Sequence, residues 1–362
     1  MSTASDARLS RNNFDLLRLL FASTVCLTHA YVLSGFAALE WIDTVFSASV
    51  AVKAFFVVSG FLIFMSYERS STLGSYARKR VRRIYPAYFT IVMVCAIGLV
   101  AVSSRSIVDY FFSIDWLEHT LSNLAFLNFV HPALPDVFED HRVTAVNGAL
   151  WTLKIEVMFY LSVPLFVYLF RRYSPARMLP LFYLLSVTYA AWCTMHARRT
   201  GLEFYEDLAK QLPGQLSYFM AGGFFYYYLP LFVRRVAWFV VPAAIVLALD
   251  TFRHPAPMLE PFALATIVVF FGLFLYVGNF GKYGDFSYGV YIVHFPIIQV
   301  LLWSGWFDGT SPMLYLATVI ALTALAGVTM WHLVEKRFLL RSSHYIAASD
   351  SPELVPTSGS SS

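Results

Sequence analysis

Runs of roughly twenty apolar residues recur along this chain, and that single feature leaves little room for any architecture but a membrane-spanning one. A helix of about twenty apolar residues crosses the hydrocarbon core of a bilayer. In lipid, only helices and closed barrels satisfy their own backbone polar groups. Ten runs can be read: 13–34, 47–66, 84–104, 149–170, 178–196, 208–229, 236–252, 259–278, 286–304 and 312–334. The chain is 58% hydrophobic and 13% charged, whereas a soluble domain carries about twice that charged share. The expected fold class is therefore all-α, a polytopic membrane protein with about ten transmembrane helices.

An even number of spans puts both termini on one side, and the basic residues say which. With the N-terminus inside, seventeen Lys and Arg fall in inner segments, six in outer ones and three (Arg18, Lys53, Lys154) within the runs. That asymmetry places both termini in the cytoplasm and the protein in the cell membrane, the inner one in an enveloped bacterium. The formal charge of +4 does not indicate nucleic-acid binding, because the cations sit in short segments between apolar runs. Residues 1–345 read as one transmembrane domain and 346–362, rich in Ser and Pro, as a disordered cytoplasmic tail. The first run lacks a convincing cleavage site and is expected to persist as a span.

That first run, Asn13 to Tyr31 (NFDLLRLLFASTVCLTHAY), is interrupted by Asp15, Arg18 and His29. Eleven positions at about 100° and about 1.5 Å each put Arg18 and His29 on one helix face, roughly 16 Å apart along the axis. A cation at the bilayer centre costs about 2.5–3.5 kcal/mol, so such residues face a protein interior or a watery cavity. Asp15, one turn before Arg18, is a natural partner. A plainer reading has Asp15 and Arg18 snorkelling at the helix start and His29 bonded to a neighbouring helix.

Further ionisable residues interrupt later runs: Lys53, Lys154, Glu156, His294, His332 and Glu335. A passive scaffold rarely keeps so many. Lys53 and Glu156 form either a structural ion pair between neighbouring helices or part of the environment of His29. His294 precedes Pro296, which frees a backbone carbonyl that an imidazole can satisfy, so its expected role is structural. Glu335, followed by Lys336 and Arg337, marks the water boundary.

Two connecting segments stand out. Residues 67–83 (YERSSTLGSYARKRVRR) carry six cations on the inner side, a pad suited to phosphates or anionic lipid. Residues 105–148 form a long outer segment whose semi-apolar part, 107–130, lies on the membrane or re-enters it. Its histidines, His119, His131 and His141, lack ligand-like spacing, so no metal is expected. Cys26, Cys95 and Cys193 read as small core hydrophobes.

Five motifs resemble, in order, those of the acyltransferase-3 family of integral-membrane acyltransferases, which includes O-antigen, exopolysaccharide and nodulation-factor O-acetylases. FDLLRLLFASTVCLTHA carries Arg18 and His29 at the family's Arg-x10-His spacing. KAFFVVSGFLIF, with Ser59, resembles its FFxxSGFLI signature, although relatives often have Asp where Lys53 stands. RKRVRRIYPAY holds Arg80 and Arg83 at its Arg-x-x-Arg spacing. NGALWTLKIEVMFYLSVPL places Trp151 and Glu156 on its Trp-Thr-Leu-x-x-Glu pattern, and FSYGVYIVHFPI is similar to its late Tyr-x-x-Tyr-x-x-His segment.

The resemblance implies transfer of an acyl group, commonly acetyl, from a cytoplasmic acyl-CoA such as acetyl-CoA to a hydroxyl of a carbohydrate or lipid-linked glycan. It implies His29, Arg18 and Glu156 as the catalytic set and Arg78, Arg80 and Arg83 as the site for the CoA phosphates. Asp15, Lys53, Ser59 and Trp151 take supporting positions. His29 is either the general base on the acceptor hydroxyl or itself acylated on the way. The competing readings are a secondary transporter with a proton relay and a non-catalytic membrane scaffold, but no repeated halves are visible.

Overall fold

The apolar runs fold as helices throughout: a computed structural model, which describes residues 8–251, 257–307 and 309–340, contains no strand among them. The main helices are α1 (Phe14–Ser34), α2 (Ala48–Glu68), α3 (Leu73–Gly98), α4 (Ile114–Leu124), α5 (Trp151–Tyr173), α6 (Pro175–Thr200), α7 (Leu212–Tyr227), α8 (Val236–Thr251), α9 (Glu260–Phe274), α10 (Ser287–Trp303) and α11 (Pro312–Met330). A π-helical turn, Trp331–Glu335, continues α11. The tail at 346–362 and the basic residues Arg253 and Arg341 lie outside the described residues.

Of the ten runs, six fold into helical stretches long and apolar enough to cross a membrane: Phe14–Ser34, Ala37–Glu68, Leu73–Ala101, Gly148–Tyr173, Pro175–Thr200 and Pro312–Phe338. The other four are shorter. The run at 208–229 divides at Gln211 into Glu203–Lys210 and α7, and α8, α9 and α10 have 16, 15 and 17 residues. A 16-residue helix is about 24 Å long, short of a core about 30 Å thick. The apolar runs there extend past the helix ends into the connections.

The basic stretch read as a loop is largely helical. Thr72 caps α3, its hydroxyl accepting from the Ser75 amide at 3.1 Å, so Arg78–Arg83 ride on the first turns of the helix. Hydropathy reports which part of a helix lies in lipid and is silent about a charged extension beyond it. The outer segment does turn back along the bundle. The Trp116 indole donates to the Ala96 carbonyl at 2.8 Å, the Tyr88 hydroxyl to the Asn123 carbonyl at 2.7 Å, and Phe126 stacks on Tyr88 with centroids 4.1 Å apart. Leu117 and Leu121 on α4 stay exposed, an apolar face turned away from the protein.

Two contacts set the position of the functional helices. Asn13, at the entrance of α1, donates to the Phe271 carbonyl at 2.9 Å and accepts from the Val277 amide at 3.0 Å, tying α1 to the end of α9. Where α2 crosses α7 the backbones touch. A Cβ on Gly60 would lie 2.0 Å from the Phe219 carbonyl oxygen, and one on Gly222 would lie 2.1 Å from that of Val57. Small residues at such crossings let helices approach closely without a hydrophobic driving force from water.

Candidate active site

α1 and α10 pack side by side and are joined at two levels. Arg18 pairs with Asp285 just before α10, and His29 Nδ1 lies 2.9 Å from His294 Nε2. The partners follow the same order on both helices, so α1 and α10 run parallel. Arg18 and His29 share one face, as helical arithmetic requires, and that face looks at α10.

The lower level is ionic. Oδ2 of Asp285 accepts from both Arg18 and Arg83, while Oδ1 accepts from the Ser287 hydroxyl and, at 3.2 Å, the Ser287 amide. The other arm of Arg83 donates to Glu335 Oε2 at 2.9 Å. Two guanidinium groups and two carboxylates thus balance one another, which is the condition for holding charge in a dry interior. Glu335, read from the sequence as marking the water boundary, turns its side chain inward to Arg83 and is 1% exposed. The carboxylate found across from Arg18 is Asp285, which sequence reasoning missed because it lies 267 positions away.

The upper level is uncharged in its bonding pattern. His294 Nδ1 lies 3.2 Å from the Val290 carbonyl oxygen, which can only accept, so Nδ1 carries the proton and Nε2 is the acceptor. His29 must then donate from Nδ1, leaving its Nε2 as an unprotonated nitrogen with no hydrogen-bond partner among the described residues. The second nitrogen of an imidazole is set in this way by the bond the first one makes. His294 was expected to satisfy the carbonyl freed by Pro296. That carbonyl, on Ile292, instead accepts from Asn147 Nδ2 at 2.8 Å, which releases His294 to meet His29.

A cavity of about 380 Å³ opens at the basic end of α3, lined by Arg69, Lys79, Arg80, Arg82 and Arg83 and, deeper, by Arg18, Ser59 and Glu156. A narrower compartment of about 40 Å³ shares Arg18, Ser59 and Glu156 with it and continues between Phe55, Phe56, Thr152, Tyr288 and Tyr291. The Tyr291 ring lies 5.9 Å from that of His294. The two spaces share Arg18, Ser59 and Glu156, and the inner one is bounded by Tyr291, the neighbour of His294; neither His29 nor His294 is among the residues that line them. At the mouth, Arg80 donates to the Ser66 hydroxyl at 3.2 Å while its buried Nε has no partner among the described residues. That orphaned donor invites an anionic acceptor.

Ser59 and Glu156 meet across the shared space, the hydroxyl donating to Glu156 Oε1 at 3.3 Å, and the Tyr160 hydroxyl donates to the same oxygen. Gly60 is what lets α2 turn Ser59 to this side, because its own position is filled by α7. The pairing of Lys53 with Glu156 is not what forms: Lys53 reaches Glu260 at 3.3 Å and lies over the Tyr218 ring at 5.3 Å. Helix neighbours, not sequence proximity, chose that partner. Lys154 donates to Gln211 Oε1 at 2.6 Å. Trp151 opens α5 and packs half-buried against the core, Asp15 sits half-buried on the first turn of α1, and Arg78 is exposed outside the cavity lining. All three cysteines are buried. Among the described residues, no group of three or more His, Cys, Asp or Glu is placed to hold a metal ion.

At the end of α10 away from the cationic mouth, residues 141–145 pack against Gln299. Gln299 of α10 donates to the carbonyls of Val143 at 2.7 Å and Ala145 at 2.9 Å, and its Oε1 lies 2.8 Å from His141 Nδ1. The Arg142 guanidinium occupies the space where a Cβ on Gly35, at the end of α1, would point.

The acyltransferase domain family, of the acyltransferase-3 type, matches residues 11–332. Nodulation protein 10 of Rhizobium leguminosarum bv. viciae is 27% identical over 357 residues, covering 90% of this chain and 92% of the relative. An O-acetyl transferase of Shigella phage Sf6 is 29% identical over 352 residues, covering 92% and 97%. The exopolysaccharide production protein ExoZ of Rhizobium meliloti (strain 1021) is 32% identical over 113 residues, covering 31% and 32%. No solved structure gives a significant match.

Proposed function

Because the chain belongs to the acyltransferase-3 family, we propose that it is a membrane O-acetyltransferase that moves the acetyl group of cytoplasmic acetyl-CoA to a hydroxyl of a carbohydrate, free or lipid-linked. The observation that carries this reading is the cation-lined cavity that reaches inward to Arg18, Ser59 and Glu156 and shares them with a narrower compartment bounded by Tyr291, beside the His29–His294 pair. The names of the relatives, an O-acetyl transferase and proteins of nodulation and exopolysaccharide production, favour a glycan acceptor. The excess of cations on one side favours an orientation in the bacterial inner membrane with both termini and the mouth in the cytoplasm.

Each residue then has a task. Arg80, with Lys79, Arg82 and Arg69 around it, receives the CoA phosphates, where charge-assisted bonds from guanidinium groups are strong. Arg83 and Asp285 hold Arg18 in place beside the pantetheine arm. Arg18 orients the donor low in the site, a full level below His29, and Glu156 lines the space between. Nε2 of His29 removes the proton from the acceptor hydroxyl as its oxygen bonds to the carbonyl carbon. The carbon–sulfur bond then breaks, and the proton passes to the departing CoA thiolate. His294 touches neither substrate and acts by fixing the tautomer of His29.

The test uses purified protein in proteoliposomes with radiolabelled acetyl-CoA and a polysaccharide acceptor. Wild type transfers label to the glycan, and His29→Ala, inserted and folded as wild type, transfers none above background. Undiminished transfer by that variant would remove His29 from the chemistry. A rapid-quench experiment without acceptor separates two routes: label trapped on His29 means a relay, and its absence means direct attack.

A further inference from the structure

The narrow compartment is where an acyl group carried on a pantetheine arm comes to rest, and we propose that Phe55 sets the length of acyl chain this enzyme accepts. The proposal rests on the acyl-CoA donor reading above. The compartment's volume of about 40 Å³ is room for about three water-sized groups. An acetyl group has that many heavy atoms, and a butyryl or succinyl group has more.

The walls differ in how firmly they are held. Tyr291 is tethered, its hydroxyl 2.7 Å from Thr152 Oγ1. Phe56 is buried and packs edge-on against Phe159 at 5.4 Å. Phe55 has no polar tether: it is half-buried and makes edge contacts with Phe21 at 5.5 Å and with Tyr291 at 5.6 Å. It is therefore the ring that limits the space beside the fixed Tyr291. Removing it extends the compartment towards α1, while removing Tyr291 would also break its bond to Thr152.

The experiment compares kcat/KM for acetyl-CoA, butyryl-CoA and succinyl-CoA in proteoliposomes for wild type, Phe55→Ala and Phe55→Leu. A close-fitting apolar pocket discriminates about tenfold or more for an added methylene. Wild type is expected to favour acetyl over butyryl by more than that. Phe55→Ala is expected to raise the butyryl-to-acetyl ratio by about tenfold, with Leu between the two. An unchanged ratio in a monodisperse Phe55→Ala protein overturns the proposal, and if that variant does not fold, an unchanged ratio in Phe55→Leu does so. Equal use of butyryl and acetyl by wild type also overturns it while leaving the donor reading intact. A wild type that turns over none of the three overturns both.

Discussion

Two levels of one helix pair carry opposite electrostatics. Where α1 meets α10 near the basic mouth, Arg18, Arg83, Asp285 and Glu335 form a cluster of full charges. Further along the same two helices, His29 and His294 meet through a single shared proton and no ionic partner. The difference teaches how one interface serves two steps. Charge is useful where the negative donor lies, and there it must be pinned, since an unpaired buried guanidinium is costly. Proton abstraction needs the reverse, a lone pair kept free of cations and aimed by a neutral neighbour.

Breaking the ionic level should have the largest effect. Asp285→Ala leaves Arg18 and Arg83 facing each other without their shared carboxylate, and removal of one partner from a buried ion pair costs about 3–5 kcal/mol. Thermal unfolding in detergent should show that loss, and donor binding should fail with it. A variant of wild-type stability would mean that the cluster is solvated. Breaking the neutral level should spare the fold and cost rate. His294→Ala strips the acceptor from the Nδ1 proton of His29, a loss of about 1–3 kcal/mol, so kcat should fall roughly 5- to 150-fold with little change in KM for the donor. A change confined to KM would contradict that division of labour.

Arg80→Ala sharpens the comparison from the mouth. A hydrogen bond to a charged group contributes about 1.5–3 kcal/mol, so KM for acetyl-CoA should rise by about ten- to a hundredfold while kcat stays near wild type. Dephospho-CoA thioesters should lose part of this sensitivity. The smallest effect is expected far from both levels. Arg105 bonds to Asp136 at 3.0 Å and holds that carboxyl below its usual value of 3.8, with Ser104 assisting. A depressed carboxyl pKa contributes stability that is present above the unfolded value and lost as pH falls through the acid range below it. Because the pair is exposed, the contribution is small. Hydrogen exchange of residues 103–137 should accelerate slightly below about pH 4.

Much of this was readable from the chain because helices are periodic. The common face of Arg18 and His29 follows from their spacing, and the cationic mouth from the cluster at 78–83. What the residues on the other side of each contact would be was not readable. Asp285 and His294 lie 267 and 265 positions from their partners, and helix packing decides which distant residues meet. Lys53 found Glu260 rather than Glu156 for the same reason. His294 bonds the Val290 carbonyl instead of the one that Pro296 frees, because Asn147, distant in sequence, takes that one. Six of the ten runs fold into helices long enough to cross a membrane, while α8 to α10 are apolar but shorter, because hydropathy does not separate a short apolar helix from the apolar connection beside it.

The account turns on which nitrogen of His29 is bare. Nitrogen NMR on protein labelled with 15N-histidine, with His29→Ala used to assign the signals, reads this directly at neutral pH. The prediction is a protonated Nδ1 and an unprotonated Nε2 on His29, with His294 neutral and protonated at Nδ1. A His29 that carries its proton on Nε2 would have no lone pair facing the acceptor, and the mechanism built on it would be wrong.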